Sequence, residues 1–201
     1  MVFDSNVADM QLVDAFRSTD NINMGEIAAE KLAQAMDGQG KVIVFSAQAK
    51  TSTVKDRVEG FQSKMKEYED IRIVDIIYED QVEDMAAAMQ EALEKYPDLA
   101  GVYCTNADTS EMFLDLEKGE ERPIAMVGTD ATKRQQEAVK NGEEAGVVSQ
   151  DPYAMGYHTI LAAVILTQEE NRASVEKELL LEPKWLDAAA MEDPQYSGYI
   201  Y

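Results

Sequence analysis

Short runs rich in Val and Ile alternate along the chain with longer segments whose apolar residues recur at helical spacing. The runs 41–46, 71–77, 101–105, 124–127 and 146–149 are brief and β-branched, the pattern of parallel strands buried on both faces. Between them, Val54, Val58, Phe61, Met65 and Tyr68 fall at i, i+4, i+7, i+11 and i+14 and predict an amphipathic helix. Val82, Met85, Ala86, Met89 and Leu93 mark a second apolar stripe on a charged segment. Both stripes are expected to face a sheet, with Met24, Met36, Met65, Met85 and Met89 as adaptable core filler. The breaks keep the same register. Asp37-Gly38-Gln39-Gly40 ends the first helix, Tyr96-Pro97-Asp98 the third and Lys140-Asn141-Gly142 the fifth. A repeating βα unit predicts an α/β fold with a doubly wound parallel sheet and right-handed crossovers.

The two ends read differently. Residues 1–17 offer only Val2-Phe3-Asp4, which resembles the end of a strand whose βα partners are expected to lie outside the chain. Residues 157–167 are apolar nearly all round, which calls for burial on more than one side.

Three successive strands stop on polar groups. Gly101-Val102-Tyr103-Cys104-Thr105 is followed by Asn106, Val127-Gly128-Thr129 by Asp130, and Val148-Ser149 by Gln150-Asp151-Pro152. In an open α/β sheet these ends share the edge at which ligands bind. A fixed carboxylate accepts two hydroxyl protons, and an amide side chain both donates and accepts, so the set suits a neutral polyol. Each residue also has a plainer reading: Asp130 as the cap of the helix that follows it, and Asn106 as the cap of a helix starting near Ala107. Gln150 is freer of that ambiguity, because Asp151-Pro152 already supplies a cap and a first-turn proline.

Composition narrows the classes. The 201 residues suffice for one domain or two small lobes, and 45% are hydrophobic. Eighteen Lys and Arg against thirty-nine Asp and Glu give a formal net charge of −21, which argues against nucleic acid or anionic lipid as a partner. The acidic residues are spread along helices, as on a solvated surface. Cys104 lies in an apolar strand, so a buried, inert thiol is expected. No run approaches the ~18 consecutive apolar residues of a membrane span. The N-terminus carries neither a basic nor an apolar signal region, so export is not legible in the chain.

An enzyme is the competing class, since open α/β sheets host nucleotide and hydride chemistry. Gly38-Gln39-Gly40, however, ends a helix and precedes a strand, the reverse of a dinucleotide loop, and no phosphate loop with Lys-Ser/Thr is present. His158, the only histidine, sits on the apolar helix without a nucleophile nearby. No cofactor and no metal site is expected.

An ordered set of short motifs carries a family resemblance. These are Phe3-Asp4-Ser5, Ser18-Thr19-Asp20-Asn21 with Gly25, Asp56-Arg57-Val58-Glu59-Gly60-Phe61, Tyr96-Pro97-Asp98-Leu99, Thr105-Asn106, Val127-Gly128-Thr129-Asp130 and Gln150-Asp151-Pro152. Together they cover most of residues 1–183, and the chain resembles the C-terminal portion of a type I periplasmic sugar-binding protein. This is the ribose- and galactose-binding family that delivers sugars to ABC transporters. The resemblance implies two α/β lobes joined by three crossings, with ligand between them. By it, 1–17 is the end of the N-terminal lobe and the first crossing, and 18–150 the C-terminal ligand-binding lobe. Residues 151–183 then hold the second crossing with an N-terminal-lobe helix and strand, and 184–201 the third crossing and a tail. Most of the N-terminal lobe is expected to lie outside the chain.

The same resemblance implies ligand-binding roles for Asp4, Ser5, Lys55, Asn106, Asp130 and Gln150. Asp4 matches the family's acidic residue from the other lobe, and its plainer reading is a turn residue. Where the family commonly has an arginine, two positions before Arg57, this chain has Lys55, a point charge without the planar fork. Arg57 itself reads as structural. The aromatic that packs on the sugar from this lobe has no counterpart, since Asp80 and Gln81 stand there. The partners implied are a small sugar or polyol and an ABC transporter permease, and the location extracytoplasmic. With half the cleft missing, affinity is expected to fall severely, and the helix at 157–167 to drive self-association. Two related readings stay open: the effector-binding domain of a lac-repressor-type regulator, and a sensor-kinase ectodomain.

Overall fold

The computed structural model describes residues 1–116 and 123–201. Its strands are β1 (Val2–Phe3), β2 (Phe16–Thr19), β3 (Gly40–Ser46), β4 (Ile71–Tyr78), β5 (Leu99–Cys104), β6 (Ala125–Thr129), β7 (Gly146–Ser149), β8 (Glu178–Leu181) and β9 (Lys184–Leu186). The α-helices are α1 (Asn21–Ala35), α2 (Ser52–Met65), α3 (Met85–Lys95), α4 (Ala107–Asp115), α5 (Lys133–Asn141) and α6 (Pro152–Leu166).

Two sheets result. The larger has the order β4-β3-β5-β6-β7-β9, parallel throughout except for the antiparallel edge strand β9. The smaller is the parallel set β1-β2-β8. The chain winds outwards from β3 in both directions, so the strand order reverses between β3 and β5, and crevices at such reversals are where open α/β sheets take ligands.

The period-two alternation of the buried strands sorts the core into two layers. Val42, Val44, Tyr103, Val127 and Val148 face α1 and α2. Ile43, Phe45, Val102, Cys104 and Met126 face α3, α4 and α5 on the opposite side. Cys104 is fully buried, as an apolar strand position implies. On α2 the whole stripe Val54, Val58, Phe61 and Met65 is buried, and Phe61 stacks on Tyr103 with ring centroids 4.7 Å apart.

Gly25 on α1 and Gly60 on α2 let the two helices touch backbone to backbone. A Cβ at Gly25 would run into the carbonyl of Arg57, and one at Gly60 into the carbonyl of Ile22. The helix ends carry the expected chemistry. Asp20 and Asp151 cap α1 and α6 through the N–H groups of Asn23 and Ala154, Pro152 opens α6, and Gly142 ends α5 in the left-handed conformation.

Two features depart from the sequence reading. Residues Phe16–Thr19 form a central strand of the smaller sheet, so the boundary expected between 17 and 18 falls inside an element. The run is only four residues long and carries Arg17, which hid it. Residues Lys184–Leu186, expected as a crossing, add an antiparallel strand to β7. Helix α6 buries Met155, Thr159 and Ala162 on one side, whereas Tyr153, Tyr157, Ile160, Leu161 and Val164 stand exposed along another, in keeping with the exposed apolar helix expected there.

Candidate functional site at the facing sheet edges

Because all parallel strands of the larger sheet end on one edge, Ser46, Asn106, Asp130 and Gln150 arrive together. Asp130 is the hub. It follows β6 with φ +76, a left-handed conformation that costs a non-glycine residue about 1 kcal/mol and is concentrated at functional positions. Its backbone N–H is fixed by the carbonyl of Val148 at 3.1 Å. The carboxylate is thereby turned towards its neighbours. Gln150 Nε2 donates to Asp130 Oδ1 at 2.9 Å, and the backbone N–H of Ala107 donates to Oδ2 at 3.3 Å.

The cap readings resolve physically. Thr132 caps α5 in a capping box with Gln135, so Asp130 is not the cap of the helix that follows. It lies instead at the N-terminus of α4, where an anion is favoured by the helix dipole. Asn106 occupies the N-cap position of α4 without a side-chain capping bond; its Oδ1 accepts from Thr109 Oγ1 at 2.6 Å. Among the described residues no protein group engages Asn106 Nδ2.

Gln150 bridges the two sheets, since its Oε1 accepts from Thr19 Oγ1, at the end of β2, at 3.1 Å. A second bridge runs beside it. Arg57, buried on α2, donates through Nη1 to the carbonyl of Thr105 at 2.7 Å and through Nε to Asn21 Oδ1 at 2.8 Å. Asn21 Nδ2 donates to the carbonyl of Thr19 at 2.9 Å and lies 3.4 Å from Ser18 Oγ, which donates to the carbonyl of Asp4 at 2.6 Å. Arg57 is therefore structural, as its sequence context implies, but the structure it holds is the meeting of the two sheets.

Asp4 and Ser5 lie at the end of β1, on the smaller sheet. Asp4 has φ +63, and Ser5 Oγ donates to its Oδ2 at 3.0 Å. Among the described residues, their hydrogen-bonded routes to the larger sheet run through the Ser18, Asn21 and Arg57 relay, and through Asn6 N–H donating to Ser52 Oγ at the start of α2 at 3.0 Å. Lys55 is exposed on α2 and makes no side-chain hydrogen bond or ion pair among the described residues. Two positions from Arg57 on a helix, it projects from a different face. Its charge acts on Asp56, whose carboxyl is raised by burial and by Glu59, with Lys55 pulling the other way.

One contact had no signal in the sequence. The hydroxyl of Tyr201 donates to Asp130 Oδ1 at 2.8 Å, from 71 positions away. Burial, followed by the charge of Asp130, pushes this phenol far above its ordinary range, so it remains a neutral donor. Below the hub, Tyr103 OH and Thr129 Oγ1 lie 3.3 Å apart, and burial pushes the Tyr103 phenol up to about 12. No group of His, Cys, Asp or Glu among the described residues could hold a metal ion, and no helix among them is long and apolar enough to cross a membrane.

The site is thus a partly exposed wall of one carboxylate and two amides at the edge where the larger sheet meets the end of β2. The fold itself is shared with known proteins. The family model described as a periplasmic binding protein domain matches residues 1–171. The ribose import binding protein of Salmonella typhimurium is 26% identical over 166 residues, 82% of this chain and 56% of that protein. That of Haemophilus influenzae is 25% identical over 164 residues, 81% and 56% respectively. The chain therefore spans about 56% of the length of these relatives. Among solved structures, an ABC transporter solute-binding protein from Agrobacterium vitis with bound D-fucose superposes with a TM-score of 0.90 at 26% identity, covering 100% of this chain and 70% of that one. A carbohydrate transporter solute-binding protein from Agrobacterium radiobacter in complex with D-arabinose gives 0.89 at 26%, with 100% and 70% covered. On a match that runs from the first residue through α6, the chain belongs to the periplasmic binding protein domain family.

Proposed function

We propose that the chain binds a small sugar or related polyol at the wall formed by Asn106, Asp130 and Gln150, as part of the solute-binding component of an ABC transporter. The observation that carries this reading is the convergence of three strand ends on one carboxylate, with Gln150 Nε2 at 2.9 Å and the Ala107 N–H at 3.3 Å. Such a wall offers acceptors and donors to a neutral polyhydroxylated ligand and has neither a nucleophile and base pair nor a metal set among the described residues for chemistry. Ligands bound by structural neighbours, D-fucose and D-arabinose, belong to that class.

In this reading the larger sheet with α1 to α5 is the ligand-binding lobe, and the smaller sheet with α6 is part of a second lobe that brings Asp4 and Ser5 to the ligand. Lys55 supplies positive charge at the rim of the crevice. Closure of the lobes on the sugar is the state a permease partner recognises, in an extracytoplasmic setting. The exposed apolar side of α6 makes self-association part of the same reading.

Calorimetric titration of the chain with a panel of pentoses and hexoses tests the proposal. Binding of at least one sugar is expected, weakened about 10- to 100-fold by Asp130→Ala, the loss of a charged acceptor. Binding that Asp130→Ala leaves unchanged would place the site elsewhere.

A further inference from the structure

The Tyr201 hydroxyl is chemically the group the wall is built to receive. Asp130 Oδ1 accepts from Gln150 Nε2 at 2.9 Å and from Tyr201 at 2.8 Å, which fills both lone pairs of that oxygen. Oδ2 takes the Ala107 N–H at 3.3 Å. A ligand hydroxyl can therefore donate to Oδ1 only after one of these two donors leaves, and Tyr201 is the one carried on an exposed side chain. The segment that delivers Tyr201 is anchored just before it. Ser149 Oγ donates to the carbonyl of Tyr199 at 2.6 Å, and Tyr199 and Ile200 pack against the buried cluster of Ala131, Val139, Val147 and Leu186. Tyr201 itself is 49% exposed, so swinging it out disturbs little packing.

We propose that Tyr201 is a built-in occupant of the hydroxyl subsite at Asp130, displaced when a polyol binds, and so a determinant of affinity and ligand choice. This inference rests on the sugar-binding reading above. The phenol keeps the carboxylate hydrogen-bonded when no ligand is present, and the site is competent only in the fraction of molecules whose Tyr201 has moved. Apparent affinity falls by that fraction. Ligands lacking a hydroxyl able to reach Oδ1 leave the phenol in place and can engage Asp130 only at Oδ2, beside the Ala107 N–H.

Titrations followed by NMR with D-ribose, D-arabinose and D-fucose, on the wild-type chain, Y201F and Y201A, test it. Both variants keep every anchoring contact before the ring. The expected result is binding about tenfold tighter in both, the size of one hydrogen bond to a charged group. Y201F binding no tighter than wild type overturns the inference, and so does Y201A binding more weakly, which makes the ring a wall for the ligand instead. If none of the three forms binds any of the sugars, the sugar-binding reading falls and the displaced phenol with it; binding by wild type without gain in the variants removes the phenol's role alone.

Discussion

Asp130 shows what one residue contributes. Its left-handed backbone turns the carboxylate across the sheet edge, where it receives groups from α4, from the end of β7 and from Tyr201. Directly behind it, Tyr103 is buried against Phe61 and Thr129. Burial dominates the rise of its phenol to about 12, with the Asp130 charge a small addition and Arg57 opposing. A phenol whose ionisation is held back in the fold contributes stability that is whole below the unfolded value of 10.0 and is lost as pH climbs through about 12. The loss over that window is about 3 kcal/mol. Tyr103→Phe is expected to cost about 1 kcal/mol at neutral pH, for the Thr129 hydrogen bond, and to flatten the alkaline decline. Urea unfolding at pH 8, 10 and 11.5 reads this; parallel declines in the two proteins would assign the alkaline lability to other groups. At this scale Asn106, Asp130 and Gln150 are legible in the sequence because each polar residue ends an apolar run. Thr19 and Tyr201 are not, because they meet Gln150 and Asp130 from 131 and 71 positions away.

Among the elements, α1 and α2 form the tightest pair, and the Gly25 and Gly60 contacts explain it. Gly25→Ala places a methyl group against the backbone of Arg57 and Phe61, atoms that a rotamer change cannot move. Overpacking of this kind costs about 1–3 kcal/mol. The expected outcome is a lowered urea midpoint with an unchanged slope, and, because α2 carries Arg57, weaker joining of the two sheets. An unchanged midpoint would contradict the backbone contact. Strands β3 to β7 of the larger sheet follow from hydrophobic period alone, since strands buried on both faces leave dense Val and Ile runs. The strands missed or misassigned are those whose identity depends on partners. β2 is short, contains a charged residue and gains its place between β1 and β8, and β9 becomes a strand only by pairing with β7.

For the whole molecule, two polar relays hold the sheet edges together. One runs from Thr19 through Gln150 to Asp130, the other from Asp4 through Ser18, Asn21 and Arg57 to Thr105. Two of the three groups in the first, Gln150 and Asp130, are proposed ligand-binding groups, so a sugar bound there would exchange protein hydrogen bonds for its own and couple binding to the relation between the sheets. That coupling could not be read from the chain, because it needs the relative placement of two sheets whose strands interleave along the sequence. A sugar held by Asn106, Asp130 and Gln150 would be reported directly by the side-chain amides of Asn106 and Gln150. NMR titration of the chain with D-ribose, D-arabinose and D-fucose is predicted to shift both side-chain amide signals along one saturable curve for at least one sugar, and to move that curve to about 10- to 100-fold higher sugar concentration in Asp130→Ala. Saturable shifts confined to residues away from these strand ends, or no shift with any of the three, would contradict the account.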